Sequence, residues 1–146
     1  MINNILEDEN YKELVSSQIK ETMEYLVELG EEFALTANID AVNFNPELPS
    51  ATKEQLAKFS LFILKNYTYT TIKIDETHIS FEAGFGSENF GSTVTIPFHA
   101  IFQIVVDESI LFVNSVATVD KYNEELKKEK SINIFKRNPN NKRFDS

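Results

Sequence analysis

The hydrophobic pattern of this chain changes period once, and that change constrains the fold more than any other feature. Between residues 10 and 29 apolar side chains recur at helical spacing. Tyr11, Leu14, Val15, Thr22, Tyr25 and Leu29 make one row, and Ile19, Met23 and Leu26 a second. Asp8 or Asn10 can accept the first unpaired amide protons of such a helix, and Gly30 can take the left-handed conformation that ends it. Beyond Gly30 the period falls to two. Ile79, Phe81, Ala83 and Phe85 alternate with polar or small residues, the pattern of a strand with one buried face. Residues 33–42, 60–66, 93–96, 104–106 and 110–113 also read as strands, and β-branched and aromatic residues continue the second of these through 67–71. Residues 43–50 form a proline-punctuated loop and 50–58 a short helix capped by Ser50. Asp75-Glu76-Thr77 is a turn, Gly84, Gly86 and Gly91 flank a loop, and Pro97 opens a helical turn. The expected class is α+β: an N-terminal helix, a mostly antiparallel β-sandwich or half-barrel, and a flexible C-terminal tail.

Two uses of the helix remain open. Its stripe can pack on the parent domain, or Leu14, Val15, Met23 and Leu26 can pair with a second copy. The domain is expected to span residues 1–119 and the tail 120–146. Charge divides at the same place. Residues 1–120 carry 6 Lys+Arg against 19 Asp+Glu, a balance of -13, and residues 121–146 carry 8 against 4, a balance of +4, which together give -9. A core this acidic repels phosphate backbones, so direct nucleic-acid binding is not expected of it. The N-terminus has no basic region followed by an apolar run, and no segment approaches the ~20 apolar residues of a membrane span. The expectation is a cytoplasmic protein without membrane contact.

Catalytic sets are missing from the sequence. There are no cysteines, which removes thiolate chemistry and disulfides. The two histidines have no partners at metal-ligand spacing; His78, after a turn, is expected to be exposed, and His99, in the Pro97 turn, to lie at the surface or at an interface. There is no phosphate-binding Gly-rich loop and no nucleophile elbow. Carboxylate pairs such as Asp75-Glu76 and Asp107-Glu108 fall in turns, where Asp serves local hydrogen bonding. The expectation is a non-enzymatic binding module with no metal and no cofactor. Extended peptides that lie along a sheet suit such a module.

Two stretches resemble a known family. Ile79-Ser80-Phe81-Glu82-Ala83-Gly84-Phe85-Gly86-Ser87, followed by Val94-Thr95-Ile96-Pro97-Phe98-His99-Ala100-Ile101, is similar to the SspB adaptors, which deliver ssrA-tagged proteins to the ClpXP protease. The likeness is closest to the divergent alpha-type SspB and extends through Leu61-Phe62-Ile63-Leu64. The chain departs from the family pattern at Ser87, which replaces a second glycine, at Gly84, which replaces a basic residue, and in a longer loop over 88–93. The resemblance implies that an ssrA-tag peptide lies beside Asn66, Tyr67, Thr68, Tyr69 and Thr70, with Tyr69 as a flat wall and Phe44 and Leu48 on the other side. It also implies that Ile132, Ile134, Phe135, Lys136 and Arg137 dock on the N-terminal domain of the ClpX unfoldase, Phe144 being a competing anchor, and that the adaptor is a homodimer. A peptide-binding chaperone for another partner and an RNA-associated barrel are the alternatives.

Overall fold

The structure is a computed structural model and describes residues 4–123. Helix α1 (Glu9–Leu29) begins where the Asp8 carboxylate accepts the Asn10 amide at 3.2 Å, and it ends at Gly30, whose φ of 71° turns the chain out of the helix. Eight strands follow: β1 (Phe33–Asn38), β2 (Asn43–Asn45), β3 (Phe59–Leu64), β4 (Lys73–Ile74), β5 (His78–Phe85), β6 (Phe90–Pro97), β7 (Ile101–Val106) and β8 (Ser109–Val113). Two short helices, α2 (Ser50–Glu54) and α3 (Asn66–Thr70), flank β3. The strands make two antiparallel sheets in the orders β3-β1-β7-β8 and β2-β6-β5-β4. No helix among the described residues is long and apolar enough to cross a membrane.

Alternation places one face of each sheet in a shared core. Phe33, Leu35 and Ala37 of β1 and Phe62 and Leu64 of β3 are buried, as are Ile79 and Phe81 of β5 and Val94 and Ile96 of β6. The sheets meet through aromatic rings. Phe62 of the first sheet lies 5.9 Å from Phe81, 6.4 Å from Phe85 and 6.5 Å from Phe44, all of the second, centroid to centroid. These are edge or tilted contacts, the arrangement that ring quadrupoles favour. Helix α1 adds Val15, Ile19, Met23 and Leu26 to the same core. Of the residues expected to pair two copies, Val15, Met23 and Leu26 are therefore taken by the parent domain, and Leu14, at 54% exposed, is the one left at the surface.

Several sequence expectations shift. Residues 66–70 are helical, not a continuation of β3, for reasons given below. Strand β1 stops at Asn38, where the Asn38 side chain accepts the Asp40 amide and starts a single 3-10 turn. Helix α2 begins without a side-chain cap, Pro49 occupying the position before Ser50. The loop expected over 88–93 is a tight turn instead, because β5 runs through Gly84 to Phe85 and β6 starts at Phe90. The Pro97 turn is present as a 3-10 turn, Phe98–Ala100.

His99 is not at the surface. It is 7% exposed, with its ring 5.8 Å from that of Tyr122. The folded unit also continues past residue 119: Tyr122 and Asn123 are buried, and Asn123 Nδ2 donates to the Ala117 and Val119 carbonyls at 3.1 and 3.0 Å. The candidate tail residues Ile132, Ile134, Phe135, Lys136, Arg137 and Phe144 lie outside the described residues.

Two outcomes test this packing. Phe62→Ala removes the ring shared by both sheets and should cost about 3–5 kcal/mol in chemical denaturation. His99 is held down to about 4 by burial, with the Lys12 and His78 charges adding to it, against an ordinary value of 6.5. The unfolded chain then binds the extra proton between these values, so this group's stabilisation is present above pH 6.5 and lost as the pH falls toward 4. His99→Phe keeps the backbone carbonyl that accepts from Asn114. It should gain on wild type by roughly 3 kcal/mol between pH 7 and 4 in urea titrations.

Candidate functional site

The second sheet turns a polar surface outward. Phe81, Ala83 and Phe85 point inward, so Glu82 and Gly84 point out. On β6 the outward set is Gly91, Thr93 and Thr95, and on β2 it is Asn43 and Asn45. The register then builds rows across the sheet: Asn45, Thr93 and Glu82 in one, Gly91 opposite Gly84 in the next. Over these rows lies a groove of about 560 Å³. Its floor is the Gly84–Gly91 pair, bare at Gly91, where a Cβ would meet no atom within 4 Å, and covered at Gly84 by the Asn89 side chain. One wall is Asn45 and Pro46, whose connecting peptide bond is cis, and the other is Tyr67 and Thr68. Asn89 closes the hairpin end. Its φ is 54°, and its carboxamide occupies the space that any Cβ on Gly84 would need.

Helix α3 forms the Tyr67 wall because Asn66 breaks the strand. Asn66 has φ 52°, a left-handed conformation that Asn tolerates better than most residues. Its amide donates to Glu32 Oε2 at 2.6 Å. Thr70 and Thr71 then turn their hydroxyls back to the Tyr67 and Thr68 carbonyls at 2.6 and 2.7 Å. This local bonding overrides the strand propensity of a Tyr- and Thr-rich segment. It also redistributes the side chains. A strand places Tyr67 and Tyr69 on one face, whereas helical steps of ~100° separate them by about 200°.

The consequences are direct. Tyr67, 67% exposed, stands over the groove and donates to Glu82 Oε1 at 3.2 Å. The Glu82 charge, and then that hydrogen bond, raises the Tyr67 phenol above its ordinary value. Tyr69 turns away. Its ring makes an edge contact with Phe33 at 6.3 Å, and its hydroxyl donates to the Leu26 carbonyl at 3.3 Å. Burial, followed by the charges of Glu32 and Glu31, raises its phenol as well. Tyr69, Asn66 and Thr70 line a different depression, beside Glu32 and Lys65. Phe44 and Leu48 are buried beneath the second sheet rather than along a wall. Of the seven residues expected at a peptide site, Tyr67 and Thr68 line this groove.

The groove residues that sequence reasoning did not single out are Asn45, Glu82, Asn89 and Thr93. Glu82 was legible as the outward phase of the Phe81–Phe85 alternation. Asn45 and Thr93 needed the pairing of β2 with β6. Two cross-connections brace the walls: Glu82 N donates to Thr71 Oγ1 at 2.8 Å, and Ser92 Oγ donates to the Pro46 carbonyl at 2.9 Å. With one carboxylate, two carboxamides, hydroxyls and an aromatic wall, the groove can hydrogen-bond an extended polar chain. No cluster of three or more metal-ligating side chains occurs among the described residues.

No family model matches the chain, and no curated protein matches it.

The split of the two tyrosines is testable by thermal unfolding. Tyr69→Asp sets a charge against Phe33 and should lower stability by about 2 kcal/mol or more. Tyr67→Asp, at an exposed position, should leave stability within about 0.5 kcal/mol of wild type.

Proposed function

We propose that this protein is a peptide-binding adaptor: the groove beside Tyr67 and Thr68 holds an extended peptide, and the basic C-terminal segment tethers the complex to a second protein. The observation that carries this reading is the groove's construction, a floor open at Gly91 between an aromatic wall and a carboxamide wall. Pockets in this size range suit small ligands and short peptides. The sequence likeness to the SspB adaptors supplies the particulars: an ssrA-tag peptide as cargo and the ClpX N-terminal domain as the tether's target. Tethering lets modest contacts suffice, since the second binding step becomes intramolecular. A homodimer would supply two tethers. With Val15, Met23 and Leu26 buried, pairing through α1 would rest on the exposed Leu14, Tyr25 and Leu29.

Gly91→Leu tests the groove. A Cβ at Gly91 meets no atom within 4 Å, so the fold accepts the side chain while the floor is filled. Binding of a fluorescent peptide carrying the host's ssrA tag should weaken at least about tenfold, a loss of ~1.4 kcal/mol. Unchanged affinity with an intact fold removes this groove from the reading. Removing residues 124–146 tests the tether separately: tag affinity should persist while stimulation of ClpXP degradation is lost. A truncated chain that still stimulates degradation overturns the tethering role.

A further inference from the structure

The outer face of the first sheet is as apolar as that of the second is polar. Its register sets Ile63, Ala34, Val105 and Ile110 in one row across four strands, and Leu61, Thr36, Gln103 and Val113 in the next. Leu61, Ile63, Ile110 and Val113 are each more than half exposed, at 58, 55, 57 and 56%. Scattered surface leucines need no explanation, but a contiguous apolar sheet face does. No described element covers this one.

The ends of the face differ in charge. At one end, β1 begins after Glu31 and Glu32 and the β7–β8 turn carries Asp107 and Glu108. All four line a depression of about 930 Å³ together with Leu61, Ile63 and Val105, and Lys65 is the one cation among its described lining residues. At the other end, Lys58, just before β3, pairs with Asp120 at 3.4 Å.

Residues 124–146 match this surface in charge and reach. They hold 7 Lys+Arg against 4 Asp+Glu, a balance of +3, facing a balance of -12 for residues 1–123. Apolar Ile132, Ile134 and Phe135 come first and Lys136-Arg137 follow. Ile132 lies nine residues past Asn123, a reach of up to about 30 Å, while β3 is only about 17 Å long.

We infer that residues 132–137 dock on the chain's own first sheet, with Ile132, Ile134 and Phe135 over Leu61, Ile63 and Val105 and with Lys136-Arg137 at the Glu31–Glu32 and Asp107–Glu108 end. The docked segment shields the apolar face and keeps its own apolar side chains out of water. A partner that binds the same segment has to displace it, so docking sets a threshold for that encounter. This inference stands independently of what the groove on the other sheet binds.

The absence of native cysteine permits a clean test on the full chain. A nitroxide attached through Asn138→Cys should broaden the methyl signals of Leu61, Ile63 and Val105 in isotope-labelled protein, leaving Val94 in the core sharp. The broadening should disappear in Ile63→Glu, and it should weaken when Asp107→Asn and Glu108→Gln are combined or when salt is raised. Both sets alter exposed positions, so an unchanged amide spectrum elsewhere confirms the fold. Absence of broadening on this face overturns the inference. So does broadening seen only when spin-labelled, isotope-free chains are mixed with labelled ones, which assigns the face to a second copy.

Discussion

The contact on which the rest of this structure depends is the one between Phe62 and the rings of Phe44, Phe81 and Phe85. Each sheet alone would leave an apolar face in water. The ring cluster gives the two faces a common filling, with centroids 5.9 to 6.5 Å from Phe62. It also sets the phase of every strand involved. Once Phe81 and Phe85 point inward, Glu82 and Gly84 must point outward, and once Phe44 does, Asn45 must line the opposite wall. The groove is thus the outer side of the same alternation that builds the core.

Helix α3 shows how a few hydrogen bonds relocate a candidate site. Tyr67-Thr68-Tyr69-Thr70 has the composition of a strand. One left-handed Asn66, held by Glu32, and two threonine hydroxyls turned to backbone carbonyls make it a helical turn. Tyr67 then faces the groove and Tyr69 packs under α1. Both tyrosines were identifiable as site candidates, but their roles depended on Glu32, 34 positions before the Asn66 that it holds.

The two outer faces divide the molecule into surfaces of opposite character. One carries Asn, Thr and Glu over a glycine floor. The other carries Leu, Ile and Val ending in four carboxylates. Such a division suits a protein that meets two different things at once, an extended polar chain on one side and an apolar, basic segment on the other. His99 lies between them with its protonation opposed by burial first and by the charges of Lys12 and His78 second.

Local pattern alone determined the N-terminal helix and its ends, since Asp8 and Gly30 act within a few residues of the backbone groups they serve. It determined the strand character of residues 79–85, because alternation is visible without a partner, and the separation of an acidic body from a basic end. Tertiary structure decided which apolar residues are buried. Leu61-Phe62-Ile63-Leu64 is continuously apolar, yet only Phe62 and Leu64 enter the core, because the sheet has one packed face and an unpaired edge. It decided that Val15, Met23 and Leu26 face the parent domain, that Phe44 and Leu48 lie beneath the sheet, and that His99 is enclosed. It also decided the groove itself, since Asn45, Thr93 and Glu82 become neighbours only through cross-strand register. Spacing within a segment is a local property, whereas register and burial depend on which distant strands meet.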